Sequence, residues 1–453
     1  MSELKVNKIT PKTGTSIQLG ESGDTITIPC GATLTNNGTA TGFGLSFCTT
    51  VKTSPFTATA NKGFLINTGS SVTVTLPASP STGSEVIVVD QTGQAATNNI
   101  TLGRNGSKIK GSCADAIINV NRGGLRLVYS GSSQGWITST AGNDATATQA
   151  EFVSATGGNT ILTCGNFKTH IFTADGNFVV SSAGNATGSN SVEYLVVAGG
   201  AGGGDGSGSG GGGAGGLRTT YPSPTTGGLS VSAQTYPITV GAGGTFSSNP
   251  SNRGSSGANS VFSTITSAGG GGGGSEGPNR PGNDGGSGGG GQGSGTSPSC
   301  HGNGGSGNTP PVSPPQGNNG GDGKGAYAGG GGGGASAVGG EGQPSPGAGV
   351  GGAGSPIADA FFGPTAPSYG TPGPSSGRYF AGGGGGGNQP PASSSVSPGG
   401  AGGGGAGALH PSTQAIAGTA NSGGGGGGGI SADPTQPNGS GGSGIVAIRY
   451  RFQ

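Results

Sequence analysis

Apolar and polar positions alternate in short bursts along the first part of the chain. Ser71-Val72-Thr73-Val74-Thr75-Leu76-Pro77 alternates with period two, and Glu85 to Val89 carries an unbroken β-branched run. Asn99 to Leu102, Lys108 to Lys110, Ala116 to Val120 and Leu125 to Tyr129 follow at short spacing, and Gly135-Trp136-Ile137 closes the series. Each burst is too short for a helix and is bounded by turn residues, which predicts strands in a small sandwich or barrel. Ahead of them, Leu4 to Ile9, Thr15 to Leu19, Thr25 to Ile28 and Ala32 to Leu34 are briefer still. Such pieces bury no core alone and become stable when identical chains wrap together.

The alternation resumes after a linker at 141–155. Asn166 to Thr173 and Gly176 to Val180 predict a hairpin turning at Ala174-Asp175. Val192 to Val197 follows, and Gly444 to Tyr450 supplies a last strand near the end of the chain. Between these two the pattern disappears. Gly269 to Gly274, Gly329 to Gly334 and Gly382 to Gly387 are runs of six glycines, and Gly423 to Gly429 is a run of seven.

Most of the 113 glycines lie in that region. Ordering a residue costs roughly 1–2 kcal/mol, and glycine loses the most freedom. So much glycine therefore predicts either a flexible coil or a packing so close that side chains are excluded. The second has a known geometry, the three-residue polyglycine II helix, which has no internal hydrogen bonds. Its amides and carbonyls point outward and must bond to neighbouring runs. The β signals that frame and punctuate the region favour the packed form, with the strands at 166–197 and 444–450 framing it and the entering strand, Val192 to Val197, expected to pair with the closing strand, Gly444 to Tyr450, and clamp the glycine layer.

Composition narrows the function. Only 28% of residues are hydrophobic and 8% charged, with net charge +1. That balance gives no electrostatic case for nucleic acid or an anionic membrane. No apolar run approaches the twenty residues of a spanning helix. Met1-Ser2-Glu3-Leu4-Lys5-Val6 lacks the features of a secretion signal, so the chain is expected to be made in the cytosol and carried out by something else. Five cysteines without C-x-x-C spacing indicate neither zinc nor a disulfide framework.

Signals for catalysis or cofactors fail individually. Gly204-Asp205-Gly206-Ser207-Gly208 follows a strand, as a dinucleotide loop does, but no helix can follow it. Gly323-Lys324-Gly325 has Asn318 where a phosphate loop needs glycine, and Gly325 where it needs Ser or Thr. The acidic residues after 200 are scattered singly, giving no carboxylate pair for glycan cleavage. His170, His301 and His410 show no metal spacing. Arg122-Gly123-Gly124 occurs once, against an RNA-binding Arg-Gly-Gly tail. The expectation is a non-enzyme without cofactor or metal. Trp136 and His170 read as a core anchor and a satisfied structural histidine.

Three stretches carry a resemblance. Leu4-Lys5-Val6-Asn7-Lys8-Ile9-Thr10-Pro11 with Gly23-Asp24-Thr25-Ile26-Thr27-Ile28-Pro29 resembles the N-terminal segments of tail fibres from marine tailed bacteriophages. Thr73-Val74-Thr75-Leu76-Pro77 through Leu102-Gly103-Arg104-Asn105-Gly106-Ser107 to Gly135-Trp136 is similar to a repeated module of such fibres. Glu193-Tyr194-Leu195-Val196-Val197-Ala198-Gly199-Gly200 with Gly441-Gly442-Ser443-Gly444-Ile445-Val446-Ala447-Ile448-Arg449-Tyr450 resembles the glycine-rich domain of phage tail-fibre proteins, over about 160–453. The resemblance implies a homotrimeric virion tail protein. Its N-terminal β shaft would dock on the tail, baseplate or an adaptor, and the loops between polyglycine helices would bind an outer-membrane protein or polysaccharide of the host.

The expected organisation is therefore all-β. Residues 1–49 form a trimeric attachment shaft, 50–140 a small sandwich-like domain, 141–155 a linker and 156–453 a glycine-rich receptor-binding adhesin domain. Side chains excluded from a glycine lattice must collect in its connections, and surface loops carry function. The longest connection, Glu341 to Ala381, holds Phe361, Phe362, Tyr369, Arg378, Tyr379 and Phe380, residue types that anchor interfaces. Arg280 in Glu276 to Pro281 and His301 in Ser297 to Asn319 mark two further loops. Deleting 356–380 is expected to abolish host binding while leaving the trimer intact. The competing reading for these aromatics is that they pin the loop to the lattice, and the competing function is a structural fibre or cap whose adhesin is another chain.

Overall fold

A computed structural model describes residues 46–139, 148–221, 228–277, 280–294, 301–325, 327–344, 347–389, 395–430 and 439–453. The expected shaft strands before residue 46 lie outside the described residues. The fold is mostly β-strands with almost no helix, arranged in several small open sheets. It divides into two compact units, one of Met1–Cys113 with Ile118–Thr146 and one of Ala114–Ile117 with Ala147–Gln453.

In the first unit a five-stranded sheet has the order Ser46–Phe47, Lys62–Ile66, Glu85–Asp90, Gly124–Tyr129, Trp136–Thr138. A second sheet places Ile100–Gly103 beside Val72–Thr75 and that beside Phe56–Thr57. Successive strands switch sheets, so neighbours within a sheet are parallel along much of its width. Alternation buries Val86, Val88 and Asp90 from one strand and Val72 and Val74 from another. Trp136 is fully buried against Tyr129, a core anchor. Asp90 is the polar hub, accepting from Thr68 Oγ1 at 2.7 Å and from the amides of Gly93, Ala95 and Arg122 at 2.8–3.1 Å.

In the second unit a six-stranded sheet contains Thr160–Cys164, Phe167–Phe172, Ile445–Arg451, Ser191–Val197 and Leu217–Thr219 in that order, with Leu229–Ser230 also pairing on Ser191–Val197. The strand that enters the glycine region pairs with the strand that leaves it, Glu193 opposite Arg449 and Val197 opposite Ile445. A five-stranded sheet runs Val153–Thr156, Gly176–Ala183, Thr235–Thr239, Ser260–Phe262, Ile265–Ser267. Phe167–Phe172 and Gly176–Ala183 therefore lie in different sheets, which corrects the expected hairpin. The chain turns a corner between them, where the Thr173 amide donates to Asn159 Oδ1 and the Val240 amide to Asp175 Oδ1, both at 2.8 Å.

One face of the six-stranded sheet shares a core with the five-stranded sheet, built on Phe172, Phe178, Val196, Phe262, Ile448 and Tyr450. Within it His170 is fully buried, its Nδ1 2.7 Å from Gly157 O and its Nε2 3.0 Å from Tyr450 Oη. The opposite face is covered by residues 355–381.

The glycine tracts continue from the sheet. Their backbone bonds repeat every third residue. Gly270 and Gly273 donate to Gly199 and Gly202, and Gly271 and Gly274 to Ser287 and Gly290. Gly211 and Ala214 donate to Gly330 and Gly333, while Gly212 and Gly215 donate to Gly426 and Gly423. Each tract thus bonds to several neighbours in turn. A Cβ on Gly384 would lie 2.0 Å from Gly426 O, and one on Gly332 would lie 2.0 Å from Gly212 O. The close approach of backbones at these positions leaves no room for any side chain.

Candidate functional site

The register of the tracts decides where each connection lies. Residues 198–204 lead away from the sheet, and 209–216 return antiparallel to them, with Ala201 donating to Gly213 and Gly204 to Gly210. Gly290 and Gly293 donate to Gly211 and Gly208, so 288–293 lead away again. Gly302 and Gly305 donate to Gln292 and Gly289, so 302–305 return. Gly349 and Gly352 bond parallel to the returning tract at Gly329 and Gly332. Outward and returning tracts alternate, and the connections fall at two ends: one beside the sheet, one remote from it.

The connection 355–381 follows a returning tract and lies beside the sheet. Ser355–Ile357 pairs with Arg378–Phe380, and two 3-10 turns, Asp359–Phe361 and Gly363–Ser368, run between them. Phe361, Phe362 and Phe380 are at most 1% exposed and share a core with Ile171, Leu195 and Ala447 of the sheet. Phe362 packs on Phe361 at 5.2 Å, Tyr369 at 5.3 Å and Phe380 at 5.6 Å between ring centroids. Tyr379 is also buried, its Oη 2.5 Å from Ser375 Oγ. Arg378 is half-buried and spends Nε on Tyr369 O and Nη2 on Gly370 O at 2.7 and 2.9 Å.

Phe361, Phe362, Tyr379 and Phe380 are therefore corrected from surface anchors to the lid of a core, and Tyr369 and Arg378 lie half-buried at its edge. The cause is that the sheet's second face is apolar and this segment supplies most of the side chains that cover it, with Ala214, Ala335 and Tyr221 at its margin. Deleting 356–380 would strip that face rather than trim a surface loop.

Arg280 and His301 lie at the remote end. The His301 Nε2 accepts from the Gly325 amide at 2.9 Å. Arg280 is half-buried, with its Nε unpartnered and its carbonyl accepting from Gln292. Sequence reasoning did not bring their neighbours together with them. Lys324 pairs with Glu341, and the Tyr327 carbonyl accepts from Gln389. Glu276 Oε2 accepts from the Ser207 amide at 3.3 Å, and Gln292 Nε2 donates to Ser207 O at 2.7 Å. Burial pushes the Asp205 carboxyl up, and the nearby Glu276 charge adds to it. His410 donates its amide to Asn388 O at 3.0 Å. The remote end thus gathers both charge signs, imidazoles and carboxamides from chain segments far apart in sequence. The missed signal was parity: counting tracts outward and back from Val197 assigns each connection to an end.

Among the described residues no group of three or more His, Cys, Asp or Glu gathers as a metal site. Among the described residues no helix is long and apolar enough to cross a membrane. No curated protein matches the chain. A family profile described as a glycine-rich domain matches residues 173–451, more than half of the sequence, and the chain belongs to that glycine-rich domain family.

Proposed function

We propose that this protein is a homotrimeric tail fibre of a tailed bacteriophage that attaches the virion to its host, its glycine tracts being polyglycine II helices and its remote end the adhesive surface. The observation that carries this reading is the sorting of side chains. The lattice interior excludes them, and polar and charged ones collect at the end remote from the sheet. The three-residue repeat of backbone bonds supports the polyglycine II geometry.

In this reading residues 1–49 trimerise and dock on the tail, 50–140 space the fibre, and the glycine-rich domain binds an outer-membrane protein or polysaccharide. Attachment is non-covalent, and three tips per fibre raise effective affinity without new contacts. Saturable, strain-restricted binding of the labelled full chain to bacterial cells tests it.

A second reading, a structural cap whose adhesin is another chain, draws support from the burial of Phe361, Phe362, Tyr379 and Phe380. It predicts a folded chain that binds no strain.

A further inference from the structure

We propose that the end of the six-stranded sheet opposite the glycine tracts carries a binding site for a small hydroxylated carboxylate, the size of one uronic acid ring. The site is the cavity of about 260 Å³ lined by Phe167, Ser189, Ser191, Glu193, Arg449 and Arg451.

Alternation along Ile445–Arg451 puts Ile445, Ala447, Arg449 and Arg451 on one face. The 355–381 lid covers Ile445 and Ala447. Its Phe361 carbonyl accepts from Thr169 Oγ1 at 3.1 Å, and Thr169 stands opposite Arg449. Beyond that level the face turns from apolar to cationic.

Arg449 is held in place before any ligand arrives. Its guanidinium lies 3.8 Å from the Phe167 ring centroid and 5.3 Å from that of Tyr221, and its Nη1 donates to Glu193 Oε2 at 2.7 Å. Its side chain is 11% exposed. A guanidinium lying on a ring keeps its N–H groups in one plane, and Nε and Nη2 remain without a partner among the described residues. Arg451 spends Nε on Gln453 O at 2.9 Å, leaving both Nη groups.

Two guanidinium groups against one carboxylate give the lining one net positive charge, which suits a monoanion better than a phosphate dianion. Planar N–H forks match a carboxylate. The Ser191 hydroxyl and the second Glu193 oxygen offer partners for ligand hydroxyls. The cavity is smaller than the roughly 300–1,000 Å³ of sites for drug-sized ligands, which limits the occupant to about one ring.

Calorimetric titration of the full chain with glucuronate, glucose and inorganic phosphate tests the site independently of any host cell. Glucuronate is expected to bind saturably and glucose not at all. Because Arg449→Ala strips Glu193 of its partner, the variant of choice is the exposed Arg451→Gln, expected to weaken glucuronate at least tenfold with an unchanged thermal midpoint. No glucuronate binding, tighter binding of phosphate, or equal affinity in Arg451→Gln would each overturn the assignment.

Discussion

Tyr450 Oη sits 3.0 Å from His170 Nε2 and 3.2 Å from the Ala155 amide nitrogen, with the His170 and Tyr450 rings stacked at 5.6 Å. The Gly157 carbonyl at Nδ1 fixes the tautomer, since only a protonated Nδ1 can donate to it. Nε2 is then the acceptor, Tyr450 donates to it, and the Ala155 amide donates to Tyr450. One hydroxyl thus joins the last strand to the first strand of the facing sheet. Burial pushes the Tyr450 hydroxyl up to about 12, so it keeps its proton at any working pH.

Tyr450→Phe leaves two buried groups without partners and is expected to cost about 1–3 kcal/mol. Chemical denaturation of variant and parent measures it, with no change in the denaturant midpoint as the contrary outcome.

Burial also lowers the His170 pKa, ahead of the nearby Lys168 charge and against the Gly157 hydrogen bond. The unfolded chain therefore takes up the proton first as pH falls. This contribution to stability is whole above about pH 6.5 and declines below it. A thermal midpoint that falls from pH 7 to pH 5 in the parent and less in His170→Gln is expected; parallel curves would remove His170 from the account.

Asp90 gives a second pH signature at lower pH. Burial pushes its carboxyl up, but the hydrogen bonds from Thr68, Arg122, Gly93 and Ala95 together outweigh that and hold it below the ordinary value. Its contribution is present above about pH 4 and is lost as the carboxyl protonates below that. Asp90→Ala is expected to cost at least about 2 kcal/mol, since the donors lose a charged acceptor. A neutral effect in calorimetry would show that the hub does not hold the loops.

Gly384→Ala would set a methyl group 2.0 Å from Gly426 O. Forcing volume into a close-packed interior costs about 1–3 kcal/mol. Val338→Ala, on a residue 63% exposed, is the control and should leave the thermal midpoint alone. Equal midpoints for both would mean the tracts tolerate side chains.

The buried lid predicts a separation of stability from attachment. Phe361→Ala is expected to cost about 3–5 kcal/mol. Lys324→Ala is expected to leave stability unchanged and His301→Ala, which frees the Gly325 amide, to cost about 0.5–1.5 kcal/mol, and both to weaken cell binding. The reverse pattern would return the adhesive surface to the lid.

The strands were largely legible in the sequence because alternation along Val72 to Leu76 reports which side is buried, and the unbroken apolar run from Tyr194 to Val197 marks a strand buried on both faces. That the strand entering the glycine region pairs with the strand leaving it followed from the framing of the region; the register, Val197 opposite Ile445, did not. The partners of Phe167–Phe172 were not legible, since a short turn reads alike whether it folds a hairpin or crosses between sheets. The long glycine runs mark tracts bonded on all sides, as at Gly382 to Gly387. Tracts at the rim need glycine only where they face a neighbour, as Gly254 and Gly257 or Gly349 and Gly352 do, with Ser256 and Val350 facing out. Such tracts read as loops, so their number was missed. Without that number the placement of 355–381 could not be deduced.

The central claim is tested most directly by titrating labelled full-length chain onto a panel of bacterial strains, with unlabelled chain as competitor. The account predicts saturable binding confined to some strains, abolished by competitor and weakened by His301→Ala and Lys324→Ala. A folded chain that binds no strain, or binds all alike without competition, would contradict it and leave the glycine-rich domain a structural cap.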